Sequence, residues 1–329
     1  MSHVALVGSG AVAVRAARQL VDTPGLAGLR IAARDAAAAG RLARAVGAET
    51  VPLERALDGD PAALAIAIPG AAGVALVRRA IEGGIPAASC ADDDVALRGL
   101  LALGPAAFDR DVRVVIGCAL VPGIADVLAR HAADALDDPD EVHVARVGVA
   151  GPSCHASLRQ AMRSGPREWR NGDWHVPERR GPQLVWLPEP VAVRECTSIA
   201  AGVELLQSTV TEARDITVRA EAPPRRVPSR RFGKRTAASE FGGARVEVWG
   251  WQGGVRTSIV YGVIERPAIA AGTALAVSAA RLSGLIPSIG LRTEHGGARA
   301  MSATFDAGSV LAELARRGVK AAAFEGARE

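Results

Sequence analysis

A chain of 329 residues is too long for one small core and accommodates two unequal domains. With 49% hydrophobic and 22% charged residues it has ordinary globular usage, which excludes disorder over any large span. The formal net charge of +4 is modest for this length and carried almost wholly by arginine; with no basic stripe interleaved with aromatics it argues against nucleic acid and fits a phosphate-bearing small molecule.

From the N-terminus, short apolar runs alternate with helical patterns, as in βαβ units that feed a parallel sheet. Strands are predicted over 3–8, 29–33, 49–52, 63–68, 86–90 and 113–117, with helices over 11–21, 36–46, 73–82 and 95–103 between them. These six strands fit one doubly wound sheet. Pro122-Gly123 opens a further helix, and the turn Asp137-Asp138-Pro139-Asp140 follows it. Beyond that turn the strands lengthen and alternate, at 142–149, 191–196, 216–220, 245–251 and 255–264; the last two join through Gly253-Gly254 as a hairpin. Helices over 270–282 and 309–317 end the pattern.

The expected fold is α/β: a Rossmann-type sheet over 1–124, an α+β substrate and dimerisation domain with an antiparallel sheet over 125–270, and C-terminal helices over 271–329 packing back onto the first domain. The edge of the 245–264 hairpin is the natural surface for a homodimer. The apolar stretch 268–287 is interrupted by Arg281 and falls short of a membrane span. Cys90, Cys118, Cys154 and Cys196 are far apart, without metal-ligand spacing, and the start carries no signal-peptide pattern, so a cytoplasmic protein with reduced thiols and no metal is expected.

The sharpest local motif is Gly8-Ser9-Gly10-Ala11-Val12-Ala13, directly after a strand and opening a helix. It matches the dinucleotide fingerprint in its alanine form: Gly8 for the turn, Gly10 for close approach of a pyrophosphate, Ala13 for helix–strand packing. The helix N-terminus supplies positive charge to the phosphates. Arg34 ends the second strand where an acid would mark NAD, so NADP is preferred; Asp35, the next residue, could instead bind a ribose 2′-hydroxyl and select NAD.

Three further segments close the carboxyl ends of the later strands, where open α/β sheets gather ligands. They are Ile68-Pro69-Gly70, Cys90-Ala91-Asp92-Asp93, and Gly117-Cys118 leading to Pro122-Gly123. Asp92 and Asp93 are candidate acids, with N-capping of the next helix as the structural alternative. His155, Arg159 and Arg163 recur at helical spacing on one face, which makes His155 a candidate proton donor and the arginines candidate anion ligands. Trp169 and Trp174 could wall a substrate pocket or serve as core. Arg225, Arg226, Arg230, Arg231, Lys234 and Arg235 form a basic segment, read as a solvated loop or a lid over an anionic substrate. No Ser-His-Asp spacing, HExxH or P-loop occurs.

The order of these pieces resembles the saccharopine dehydrogenase-like family in its short form. The segments that carry the resemblance are Gly83 to Asp92, Gly117 to Gly123, Gly151 to Trp174, and Tyr261 to Pro267 with the small-residue helix after it. They span most of the chain, although each is loose alone. The chain departs from the family at Ala13, at the missing aromatic in the Gly83–Asp92 segment, and at Leu120-Val121. The resemblance implies an NAD(P)-dependent oxidoreductase that passes hydride to an imine, enoyl or carbonyl group of a small substrate, either anionic or a secondary metabolite. The alternative is a dinucleotide-binding protein without hydride transfer.

Overall fold

The computed structural model describes residues 2–177, 181–223, 241–287 and 290–324. The basic segment from Arg225 to Arg235 lies outside them. The first part of the chain runs β1 (Ser2–Val7), α1 (Ala11–Val21), β2 (Leu26–Ala32), α2 (Ala36–Val46), β3 (Glu49–Val51) and β4 (Ala63–Ile66). It continues through α3 (Gly70–Glu82), β5 (Ala87–Ser89), α4 (Asp94–Leu101), α5 (Gly104–Asp109), β6 (Arg113–Ile116) and α6 (Ile124–Ala133). β4 is buried along its whole length, as a central strand covered on both faces must be.

The second part comprises β7 (Asp138–Val147), α7 (Pro152–Ser164), β8 (Glu168–Arg170), β9 (Asp173–His175), β10 (Gln183–Trp186) and β11 (Val193–Ile199). α8 (Val203–Thr209), β12 (Asp215–Glu221), β13 (Gly242–Gln252), β14 (Val255–Glu265) and α9 (Pro267–Leu282) follow. The chain closes with β15 (Gly297–Ala300), α10 (Met301–Thr304), α11 (Ala307–Arg316) and β16 (Ala321–Phe324).

Among the described residues the first sheet has strand order β15-β6-β5-β4-β1-β2-β3, all parallel. Order reverses between β1 and β4, so the crevice at their carboxyl ends is the topological switch point of a doubly wound sheet. The sheet holds a seventh strand beyond the six expected. β15 arrives from the C-terminal segment and pairs Gly297–Ala300 with Arg113–Ile116.

The second sheet runs β10-β11-β12-β7-β13-β14-β16, with β8 and β9 off this path. It is mixed rather than antiparallel, because β12 and β7 run parallel in register Asp215↔Glu141 to Ala220↔Arg146. The Gly253-Gly254 hairpin forms as expected, both glycines lying in the left-handed region. The outer edge of β14 is not open where it was proposed as a dimer surface: β16 covers Val260–Val263. The C-terminal segment therefore supplies one strand to each sheet in addition to its helices.

One continuous core joins the sheets. It runs from Leu6, Ala16 and Leu20 through Ile124, Leu128 and Leu275 to Val144, Val218 and Val246. α9, the apolar stretch of the sequence, is buried almost throughout and packs against α1. No helix among the described residues is long and apolar enough to cross a membrane.

Candidate functional site

The β1–α1 turn shows why its two glycines differ. Gly8 has φ +135°, and a Cβ there would lie 2.8 Å from the Ala67 carbonyl oxygen, so the crossing of the β1 and β4 ends requires glycine. Gly10 has an ordinary extended conformation as N-cap of α1 and is exposed, and a Cβ added there would meet nothing within 4 Å. The fold does not need a glycine at 10. No side chain caps α1 and no acid sits in its first turn, so its N-terminal amides are left to face solvent or an anion. Ala13 is fully buried against the sheet.

The end of β2 separates Arg34 from Asp35. The Asp35 carboxylate accepts the Ala38 amide at 2.8 Å and N-caps α2. Arg34 is exposed and makes no hydrogen bond or ion pair among the described residues.

Beside the turn lies a cleft. The first sheet lines it with Val12, Ala67, Ile68, Pro69, Cys90, Ala91 and Asp92. The segment after β6 adds Ala119, Leu120 and Val121; β7 adds Arg146; the start of α7 adds Ser153 and Cys154; α9 adds Ala271. The mainly apolar lining with a few convergent polar groups is that of a small-molecule site.

Its polar centre bridges the two sheets. Asp92 follows β5, and its carboxylate oxygen lies 3.6 Å from the Arg146 guanidinium on β7, with both side chains largely buried. Arg146 also donates to the Val121 carbonyl at 3.0 Å and to Cys154 Sγ at 3.2 Å. Burial pushes the Asp92 carboxyl above the ordinary range, and the Arg146 charge and hydrogen bonding with Cys154 only partly oppose it. Burial lifts the Cys154 thiol to about 12, with the nearby Asp92 adding to the effect, and raises Cys90 further still. These cysteines are protonated thiols in the neutral range, weak nucleophiles that furnish packing and hydrogen bonds.

The two acids thus separate. Asp93 accepts the Ala96 amide at 2.8 Å and caps α4, whereas Asp92 faces the cleft. Ile68, Pro69, Cys90, Ala91 and Val12, candidate cofactor ligands of the sequence, line the cleft; Gly70 stands at the start of α3 behind Pro69. Gly117, Cys118, Pro122 and Gly123 do not line it. They are buried, with Cys118 hydrogen-bonded to Ser278 Oγ of α9 at 3.4 Å. A Cβ at Gly123 would fall 2.0 Å from the Gly117 carbonyl oxygen, so this turn is folded upon itself and presents Ala119, Leu120 and Val121 instead.

The α7 residues also divide differently from expectation. The buried face of the helix is His155, Leu158 and Ala161, which places His155 with the core positions and outside the cleft lining. Arg159 does not line the cleft, and Arg163 lines a separate depression with Met162, Glu168 and Thr197. Trp169 and Trp174 face each other across the β8–β9 pair with ring centroids 5.2 Å apart. Trp169 Nε1 donates to the Ala213 carbonyl, and the Arg167 guanidinium stacks 3.7 Å over Trp174, so the pair is a structural staple rather than a cleft wall.

Arg146 is the site residue that sequence reasoning missed. It occupies an inward position of β7, in line with Val142 and Val144, and a charge on the buried side of an alternating strand was the available signal.

No protein-family model matches the chain, and no curated protein does. Solved structures are similar over nearly the full length. A myo-inositol dehydrogenase from Corynebacterium glutamicum ATCC 13032 is 17% identical, with 99% of this chain and 100% of that one covered at a TM-score of 0.51. GenD2 from gentamicin A biosynthesis, solved in complex with NAD, is 14% identical, with 98% and 96% covered at 0.50. At these identities the likeness shows the fold, a Rossmann-type parallel sheet joined to a second, mixed sheet.

Proposed function

We propose that the chain is an NAD(P)-dependent oxidoreductase, with the dinucleotide along the β1–α1 turn and the substrate in the cleft where Asp92 meets Arg146. The observation that carries this reading is the open, uncapped Gly10 turn adjoining a cleft with a buried acid. The residues fit the cofactor: the α1 amides suit the pyrophosphate, and the unpaired Arg34 suits a 2′-phosphate. The use of Asp35 as a helix cap supports NADP over NAD. GenD2, of the same fold, is described with NAD bound, which supports dinucleotide use in general. When bound, the nicotinamide supplies or accepts the hydride.

The chain's own residues do the rest. Asp92 and Arg146, ion-paired at the cleft, orient the substrate, with the Arg146 guanidinium stabilising the substrate atom that gains negative charge. Apolar walls exclude water from the reacting centre. The narrower saccharopine dehydrogenase-like assignment draws its support from the segments Gly83 to Asp92 and Gly117 to Gly123; the two solved structures instead comprise an inositol dehydrogenase and an antibiotic-biosynthesis protein.

Titration of the purified protein with NADPH and NADH, followed by tryptophan quenching or heat, tests the reading. We expect tight NADPH binding, lost in Gly10→Asp and moved towards NADH in Arg34→Ala. If neither nucleotide binds, the oxidoreductase reading fails.

A further inference from the structure

We propose that the cleft selects a compact, uncharged carbonyl compound with apolar flanks and turns away carboxylates, phosphates and polyols. This rests on the oxidoreductase reading above and gives that site its substrate class.

Charge is the first argument. Arg146 is the only cationic side chain that lines the cleft among the described residues, and it faces the Asp92 carboxylate. Its guanidinium is further engaged by the Val121 carbonyl and Cys154 Sγ. An anionic substrate would have to displace Asp92 from Arg146 and leave two negative groups around one cation in a poorly solvated space. The other arginines that the sequence offered as anion ligands, Arg159 and Arg163, do not reach this cleft.

Hydrogen-bonding capacity is the second. Apart from Asp92 and Arg146, the polar side chains of the lining are Ser153 and the thiols Cys90 and Cys154, and the remaining walls are apolar. A polyol would bury several hydroxyls against such walls without partners, whereas one carbonyl oxygen requires only the Asp92–Arg146 pair. Room is the third: the reacting end of the dinucleotide must share the same cleft, which leaves space for a compact substrate only. Reduction forms a C–H bond from the hydride of NAD(P)H; the C=O π bond breaks, the alkoxide facing Arg146 takes its proton from water as the product leaves, and the cofactor leaves oxidised.

The test uses the full-length protein saturated with NADPH, saturation having first been established by fluorescence titration. Acetophenone is compared with para-acetylbenzoate, methyl pyruvate with pyruvate, and fructose stands for polyols; binding is read by calorimetry and turnover by loss of NADPH absorbance. We expect each uncharged ketone to bind at least about tenfold more tightly than its carboxylate, and fructose not to bind. Asp92→Asn, which frees Arg146, should reverse the order. The charge-free double variant Asp92→Asn with Arg146→Gln should restore the wild-type order, which a merely structural role for the pair would not produce. Carboxylates bound as tightly as ketones by the wild type, or an order unmoved by Asp92→Asn, overturns the proposal. So does a saturated NADPH complex that binds none of the ketones, with the oxidoreductase reading left standing. Failure of NADPH itself to bind removes both.

Discussion

Two glycine turns sit at carboxyl ends of strands in the same parallel sheet, and they do opposite things. After β1, Gly10 is exposed, conformationally ordinary and surrounded by open space. After β6, Gly117 and Gly123 are buried at positive φ, and a Cβ on either would collide with neighbours, Leu205 in one case and the Gly117 carbonyl in the other. Sequence pattern alone gives both turns the look of ligand loops. The difference teaches that a glycine the protein's own packing does not require is the one that keeps room for something else, and a glycine boxed in by backbone is architecture.

The comparison breaks most visibly at Gly123. Gly123→Ala should destabilise the fold by about 3 kcal/mol or more, or prevent its recovery in soluble form, as measured by denaturant unfolding. An unfolding midpoint within experimental error of wild type would show that the turn has room to relax. Gly10→Asp should separate function from stability. Aspartate is a better N-cap than glycine, so the unfolding free energy should hold or rise by a few tenths of a kcal/mol. NADPH affinity should meanwhile fall by about 100-fold, roughly 2.7 kcal/mol.

Arg34→Ala should cost about tenfold in NADPH affinity and little in NADH affinity, read as a ratio of dissociation constants at fixed salt. A pH-dependent effect concerns Asp126, fully buried behind the closed turn, where its carboxylate accepts the Gly123 amide at 3.1 Å. Burial raises its carboxyl well above 3.8, against the favourable Gly123 hydrogen bond. The folded state then holds the proton more tightly than the unfolded state. Its contribution to stability is therefore full below pH 3.8 and declines as pH rises towards the elevated folded value. Asp126→Asn, which retains the acceptor, should flatten the fall in stability above about pH 4 in chemical unfolding at several pH values.

Much of the first sheet was legible because its signals are local. Apolar runs such as Ala63–Ile66 and the Gly8–Ala13 turn need no knowledge of distant partners. The C-terminal strands were not legible: β15 is Gly-Ala-Arg-Ala and β16 is three alanines and a phenylalanine, and each becomes a strand only because a distant edge receives it. At the site, one of two adjacent aspartates had to be the cap, and which one depends on the start of α4 to within a residue. His155 was grouped with Arg159 by spacing of four, yet the buried face takes it with Leu158 and Ala161 by spacing of three; both spacings share a helix face, and the packing partner decides between them.

The late arrival of β15 carries a consequence for biosynthesis. Its partner β6 ends at Ile116, but the strand itself begins at Gly297, so the first sheet must wait for its seventh member while every strand of the second sheet except β16 emerges from the ribosome. At ordinary rates of translation that wait is about 10 to 40 s. Throughout it, one edge of the nascent parallel sheet stands unpaired beside the growing chain. The order of manufacture thus makes the nascent first domain a client for protection rather than an early, self-sufficient product, and premature termination anywhere before Gly297 would leave that edge open for good.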